Sequence, residues 1–128
     1  MHRRLRFLAE VAPLEFDTTL SSAGDALIAL SGELDLSGAP ALDQEIETLA
    51  GRPDVSRVIL DLRGLEFLDS SGLRVVALAE RRLAGNGRSL VLVRGSETVQ
   101  RVFEITRMSD RLEFVDVPPE PGRNGGGA

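Results

Sequence analysis

The sequence predicts a single α/β domain with a mixed, mostly parallel β-sheet. Apolar segments typical of strands alternate with segments of helical period in the order β-β-α-β-α-β-α-β. This alternation is typical of parallel strands joined by right-handed crossovers. The first two strands are joined by a short turn at residues 22–25, which makes the sheet mixed. The length of 128 residues is enough for one domain with one hydrophobic core.

The predicted strands begin with an N-terminal hairpin formed by residues 14–20 and 26–34. The second strand of the hairpin is apolar on both faces, which favours a central position in the sheet. Two further apolar strands follow at residues 57–62 and 89–93, each after a helix. Residues 111–117 form the last strand, which we expect at an edge of the sheet.

Three helices are predicted between these strands, and their ends can be recognised. The first helix is capped by Ser37 or Gly38. The second starts within residues 69–72 and stops at the Gly-Asn-Gly sequence 85–87, because glycine favours the end of a helix. Ser96 is the predicted N-cap of the third helix.

We expect residues 14–117 to form the domain, after an N-terminal arm of residues 1–13. Residues 118–128 are rich in Pro and Gly, and they are predicted to be a disordered tail. No segment is apolar over the length that spans a bilayer, so we expect a cytoplasmic protein. A monomer is the default expectation for the oligomeric state.

The composition disfavours several classes of function. The chain has no Cys and no Lys, which excludes thiol nucleophiles, zinc-thiolate sites and Schiff-base chemistry. A net charge of −5 and an aromatic content of 4% disfavour binding to nucleic acid. The only histidine is His2, so a serine nucleophile inside the domain has no base. We therefore expect no enzyme, no metal and no cofactor.

Two polar segments at strand ends form the candidate site. Asp35 closes the second predicted strand, and the segment Asp69-Ser70-Ser71-Gly72 enters the second helix. In open α/β sheets, functional sites gather at the carboxyl ends of the strands, so these segments are predicted neighbours.

The residue types at this site leave two interpretations open. Asp and Ser before a helix are the commonest N-caps, so the segment could serve structure alone. Alternatively, Ser70 could accept a phosphate, which would meet free backbone N–H groups and the positive end of the helix dipole. A phosphate adds about −1.5 to −2 charge and would expel a partner that docks on the unmodified serine.

Three motifs, in the right order, resemble the STAS domain of anti-sigma factor antagonists. They are LSGELDLSGAPAL at residues 30–42, VILDLRGLEFLDSSGLRVV at 58–76 and GRSLVLVRGSETVQRVFEIT at 87–106. The resemblance spans about residues 14–116, and it implies a mixed sheet with helices mainly on one side. One departure is Arg107, where the family often has a glycine, so we expect the third helix to end differently.

The resemblance also implies a function and its residues. An unphosphorylated antagonist binds an anti-sigma factor that is itself a serine kinase, and this binding releases the sigma factor. By position, Ser70 is the phosphoacceptor, and a phosphatase would reverse its modification. The partner-binding surface would include Asp35, Asp69, Ser70, Ser71 and Gly72, with Ser71 capping or supporting the turn.

Alternatives from other classes remain. STAS domains also act as subunits of stress-signalling assemblies or of transporter complexes. Nucleotide binding or slow nucleotide hydrolysis ranks lower, because the chain has no recognisable phosphate-binding loop.

Overall fold

Five strands form one mixed sheet in the computed structural model, which describes residues 12–122. The strands are β1 (Glu15–Leu20), β2 (Asp25–Leu34), β3 (Arg57–Leu68), β4 (Ser89–Val93) and β5 (Phe114–Val115), and they lie side by side in that order. β1 is antiparallel to β2, and the other neighbours are parallel. The predicted fold class is confirmed.

Each parallel connection contains one α-helix, and a short 3-10 helix (Met108–Asp110) follows the third of them. α1 (Ala39–Ala50) joins β2 to β3, α2 (Ser70–Gly85) joins β3 to β4, and α3 (Glu97–Ile105) leads from β4 towards β5. Because the strand order follows the chain order, right-handed crossovers place all three helices on the same face of the sheet.

The main core lies between this face and the helices. It contains buried residues from all three helices and from alternate positions of the strands, among them Leu42, Val76, Phe103, Ile28 and Leu60. The spacing of the apolar residues on the helices follows the helical period, which is why each helix buries one stripe. Aliphatic side chains make up nearly all of this core, as the low aromatic content requires.

No helix among residues 12–122 lies on the opposite face of the sheet. The buried apolar residues of this face are Ile59, Val91 and Val93, with Leu27 and Val115 packed against them, and all five belong to strands. We call these five residues the strand cluster.

β3 is longer than the sequence indicated. The prediction ended this strand at residue 62 and read the following residues as a loop, but pairing with β2 continues to Leu68. The register shifts between Ala29 and Ser31 and again between Gly32 and Glu33 of β2. Such bulges interrupt the alternation of apolar and polar residues, which removes the signal by which a strand is recognised.

Two predictions near the C-terminus were wrong in detail. β5 contains only Phe114 and Val115, whereas the prediction gave a strand over residues 111–117. Arg107 adopts the left-handed conformation with φ of 64°, the only non-glycine residue among the described residues with positive φ. The expectation that α3 ends differently was therefore wrong, because the left-handed geometry typical of glycine is retained although an arginine occupies the position.

The first residues of β2 and β3 form a buried ion pair. Arg57 donates two hydrogen bonds to the carboxylate of Asp25, each 3.0 Å long, and the two residues are 8% and 6% exposed. Asp25 was expected to serve only as a turn residue, and that expectation was wrong. The backbone N–H of Gly122 donates to Asp25 Oδ2 at 2.8 Å, so residues 118–122 lie against the sheet. The bounds of the domain stay a prediction.

The ion pair generates a prediction about stability. The variant Arg57→Met should lose about 3–5 kcal/mol of unfolding free energy, because it leaves the carboxylate of Asp25 buried without its partner. The double variant Asp25→Leu/Arg57→Met should be much less destabilised. Urea denaturation measures both effects.

The exposed ion pair between Arg52 and Asp54 provides a matched control. The variant Arg52→Met should change stability by less than about 1 kcal/mol, since exposed pairs contribute little. Equal losses for Arg57→Met and Arg52→Met would contradict the assignment of a buried, uncompensated charge.

Candidate functional site

The site is built where β2 and β3 end side by side. Leu34 is paired with Leu68 at the last register position, and the N–H of Asp69 donates to the carbonyl of Leu34 at 3.3 Å. Asp35 and Asp69 each follow a member of this pair, so their backbones lie about one strand spacing apart, ~5 Å. The predicted proximity of the two acidic segments is confirmed.

Asp69 is the N-cap of α2. Its Oδ1 accepts hydrogen bonds from the backbone N–H groups of Ser71 at 2.9 Å and Gly72 at 3.2 Å. Of the two predicted roles of Ser71, capping the helix or supporting the turn, the structure excludes the first. Ser71 already lies in the first turn, whereas the capping side chain belongs to the residue that precedes the helix.

Gly72 lets the first turn of α2 approach the sheet closely. A Cβ atom at this position would lie 2.8 Å from Leu34 Cγ, 2.9 Å from the Leu34 carbonyl oxygen and 2.9 Å from Leu68 Cδ1. These distances are shorter than van der Waals contact, so a side chain at residue 72 would push α2 away from the ends of β2 and β3.

The carboxylate of Asp35 binds the residues that lead into α1. Its Oδ1 accepts from the Ser37 hydroxyl at 2.8 Å and from the N–H groups of Ser37 and Gly38 at 3.1 and 3.3 Å. The hydrogen bond from the Ser37 hydroxyl is the main cause that holds the pKa of Asp35 below its usual value. The carboxylate therefore stays charged at neutral pH, and its contribution disappears only as the pH falls below about 3.8.

The cap of α1 is Gly38, one of the two predicted candidates. Gly38 has no side chain that could accept a capping hydrogen bond. The turn is held instead by the carboxylate of Asp35, which accepts from the Gly38 N–H. Ser37, the other candidate, donates its hydroxyl to Asp35.

Ser70 is the first residue of α2, and its side chain is exposed. The expectation that a phosphate on Ser70 would meet free backbone donors needs correction. Two donors of the first turn, the N–H groups of Ser71 and Gly72, are already bound by Asp69. A phosphate would still feel the positive end of the helix dipole, but its oxygens would face solvent beside the charges of Asp69 and Asp35.

Two large apolar side chains near the site are exposed. Leu36 is 74% exposed and lies between Asp35 and α1, and Phe67 is 42% exposed and lies three residues before Ser70. Sequence reasoning missed both. Phe67 could have been found if β3 had been predicted at its full length, because its side chain then breaks the pattern of a buried strand.

A groove of about 280 Å³ continues this surface between α1 and α2. Its walls are mostly apolar, and they include Leu36, Pro40, Ser71, Val75 and Leu78. Arg82 of α2 donates to Asp43 of α1 at 2.9 Å, which holds the two helices together beside the groove. The surface around Ser70 therefore combines exposed apolar side chains with acidic groups at the strand ends.

The described part of the chain offers no metal centre. No group of three or more His, Cys, Asp or Glu side chains within residues 12–122 is placed to hold a metal ion. No helix among these residues combines the length and the apolar character needed to cross a bilayer. The predicted arm of residues 1–13, including His2, lies outside the described residues except for Ala12 and Pro13.

A family model described as "Mlab, STAS domain" matches residues 18–116. The chain is 34% identical over 82 residues to the anti-sigma-F factor antagonist RsfB of Mycobacterium tuberculosis, which covers 63% of this chain and 66% of RsfB, just under two thirds. It is 32% identical over 97 residues to the anti-sigma-B factor antagonist of Listeria monocytogenes, covering 76% of this chain and 84% of that protein.

The fold also matches solved structures of SpoIIAA, an anti-sigma factor antagonist. The unphosphorylated form gives a TM-score of 0.70 at 26% identity and covers 79% of this chain and 88% of that one. The phosphorylated form from Bacillus gives 0.64 at 25% identity, with 79% and 91% covered.

The close approach at Gly72 predicts a loss of stability on adding one methyl group. The variant Gly72→Ala should lose about 1–3 kcal/mol, because overpacking forces α2 away from β2 and β3. Thermal or urea unfolding measures this loss. The control is Gly85→Ala in the same helix, where nothing lies within 4 Å of the added Cβ. It should be neutral or stabilising, and a loss as large as that of Gly72→Ala would contradict the packing argument.

The N-cap at Asp69 leads to a second prediction about stability. The variant Asp69→Ala should lose about 0.5–2 kcal/mol of unfolding free energy, because two N–H groups of the first turn lose their acceptor. Asp69→Asn should be much milder, since Asn ranks with Asp as an N-cap. Chemical denaturation of both variants checks this, and an equally large loss for Asp69→Asn would show that charge rather than capping matters.

Proposed function

The chain belongs to the STAS-domain family that includes the anti-sigma factor antagonists, and on this premise we propose that it is itself such an antagonist, switched at Ser70. In the unmodified form it binds an anti-sigma factor and thereby releases a sigma factor. Phosphorylation of Ser70 blocks this binding. The observation that carries the proposal is the exposed serine at the start of α2, set beside exposed apolar side chains.

The surface around Ser70 fits a protein partner. Leu36 is exposed and lines the groove between α1 and α2, which adds further apolar area, and Phe67 is exposed near the end of β3. Apolar and aromatic side chains contribute much of the binding energy in protein interfaces. Asp35 and Asp69 add negative charge, which favours a partner with basic groups at the matching positions.

Phosphorylation would act on binding rather than on folding. The cap at Asp69 already binds two donors of the first turn, so a phosphate is not required to complete the helix. Its charge of about −1.5 to −2 would be added next to two carboxylates. A partner that covers Ser70 would have to bury this group among like charges, which costs several kcal/mol.

The family role is regulatory, and the proposal assigns no catalytic step to this chain. The kinase that modifies Ser70 is the anti-sigma factor itself, and a separate phosphatase restores the binding form. This assignment extends the family resemblance to the residues of the present chain, and Asp35, Asp69, Ser71 and Gly72 form the contact surface or support it.

The first test is the modification itself. Trypsin cleavage after Arg63 and Arg74 releases the peptide 64–74, in which Ser70 and Ser71 carry the only hydroxyl groups. Mass spectrometry of protein from native cells should find one phosphate on Ser70 in some growth condition. Phosphate on Ser71 would move the switch by one residue, and an unmodified peptide in all conditions would contradict the switch.

A binding measurement tests the consequence. Ser70→Asp should bind the anti-sigma factor that co-purifies from native cells at least about tenfold more weakly, equal to ~1.4 kcal/mol, whereas Ser70→Ala should bind as well as the natural protein. Isothermal titration calorimetry measures both. A matched control is Ser22→Asp, which adds the same charge at an exposed position in the β1–β2 turn. This turn lies before the start of β2, whereas Ser70 follows the end of β3. Equal binding by Ser70→Asp and Ser70→Ala would refute the proposed switch.

A further inference from the structure

The helix-free face of the sheet is buried unevenly. Ile59, Val91 and Val93 of the strand cluster are at most 3% exposed, although none of the helices within residues 12–122 covers them. On the same face of β2, by contrast, Ala29 and Ser31 are exposed. Another part of the chain therefore covers this face over β3 and β4 and leaves it open over β2.

The segment after β5 ends at the far side of this face. Ala26 and Val58 point into the main core, so their neighbours Asp25 and Arg57 point to the helix-free face, since side chains alternate along a strand. The N–H of Gly122 donates to Asp25 Oδ2 at 2.8 Å, and Arg57 reaches the carbonyl oxygen of Glu120 at 3.5 Å. The ion pair therefore binds the backbone of this segment on the helix-free face.

The segment crosses the sheet from β5 to the start of β2. From Val115, which pairs with Val93 near the ends of the strands, the chain must reach Asp25 at their beginnings. This path crosses three strand spacings and about four residues of strand length, roughly 20 Å. Residues 118–120 are the part of the segment without bends or turns, between bends at residues 116 and 117 and a turn at residues 121 and 122. The segment therefore crosses the face over β4 and β3.

The sequence of the segment suits this role. Residues 117–122 read Val-Pro-Pro-Glu-Pro-Gly, and Pro118 and Pro119 are partly buried while Val117 and Glu120 are exposed. Gly122 has φ of 81°, which favours glycine, and its backbone N–H is the group that Asp25 binds. Gly122 is therefore the residue type that the hydrogen bond to Asp25 favours at this position.

We propose that the helix-free face over β3 and β4 is a docking surface for an extended, proline-containing peptide, and that residues 117–122 occupy it within the same chain. The strand cluster supplies the apolar contact. The ion pair of Asp25 and Arg57 binds the backbone of the seated segment. The surface lies on a different face from the helices that flank Ser70.

The absence of Cys from the sequence allows a direct test by thiol labelling of the full chain. Val91→Cys places a single thiol under the segment, and Gly122→Pro removes the N–H donor and forbids the positive φ. In Val91→Cys/Gly122→Pro, the thiol should react with DTNB about tenfold faster or more than in Val91→Cys alone, because labelling reports how often the cover is open.

Two controls separate local release from general unfolding. Leu92→Cys lies on the helix side of the same strand and is 0% exposed, so Gly122→Pro should leave its labelling rate unchanged. Gly125→Pro makes the same substitution three residues beyond the contact, and it should not expose Val91→Cys. An unchanged rate at Val91→Cys in the Gly122→Pro variant would overturn the proposal, and so would equal acceleration at Val91→Cys and Leu92→Cys.

A synthetic peptide tests the docking surface in trans. Millimolar concentrations match the effective concentration that a short tether provides. At these concentrations, a peptide of residues 116–123 should slow the labelling of Val91→Cys/Gly122→Pro again. The same peptide with proline in place of Gly122 should not. Failure of the natural peptide to protect the thiol, or equal protection by both peptides, would show that the face is not a docking surface for this segment.

Discussion

The site depends on the close packing of the first turn of α2 against the paired ends of β2 and β3. Leu34 and Leu68 lie beneath this turn, and Gly72 leaves no space for a side chain between them. The contact fixes the direction in which α2 leaves the sheet. It also fixes the separation of Asp35 and Asp69, because each directly follows one member of the Leu34–Leu68 pair. Exposure of Ser70 is a consequence of the same geometry, since Gly72 faces the sheet and Ser70 faces away from it.

The four residues of the Asp-Ser-Ser-Gly segment divide their roles between structure and surface. Asp69 binds two N–H groups of the helix start, and Gly72 provides the close approach, so both stabilise the fold. The Ser70 side chain takes part in neither interaction. A group attached to Ser70 can therefore change the charge of the surface without removing an interaction that holds the turn. This separation explains how a modification site can lie within a tightly packed helix start.

Much of the fold could be predicted from the sequence because its signals are local. The element order follows from periodicity, and the adjacency of Asp35 and Asp69 follows from the pairing of consecutive parallel strands. The sequence did not single out Asp69 as the cap, because Asp and Ser both cap helices and only the backbone conformation shows which residue precedes the helix. The ion pair of Asp25 and Arg57 and the position of residues 118–122 depend on contacts between distant parts of the chain, for which composition gives no signal. A Pro- and Gly-rich segment is typical of disorder, yet a short one can be held by a few backbone contacts.

The pairing of β2 with β3 shows why the two bulges matter for the site. β2 has 10 residues and β3 has 12, but both their first and their last residues are paired. Asp25 pairs with Arg57 at one end and Leu34 with Leu68 at the other, so β3 must accommodate two additional residues between them. The two register shifts each absorb one. A single shift would turn all following side chains of β3 to the opposite face, whereas a second shift restores them. Leu68 therefore points into the main core beside Leu34. Asp69 and Asp35, which follow these two residues, lie side by side. The irregular stretch that concealed the end of β3 in the sequence is thus the feature that aligns the two halves of the site.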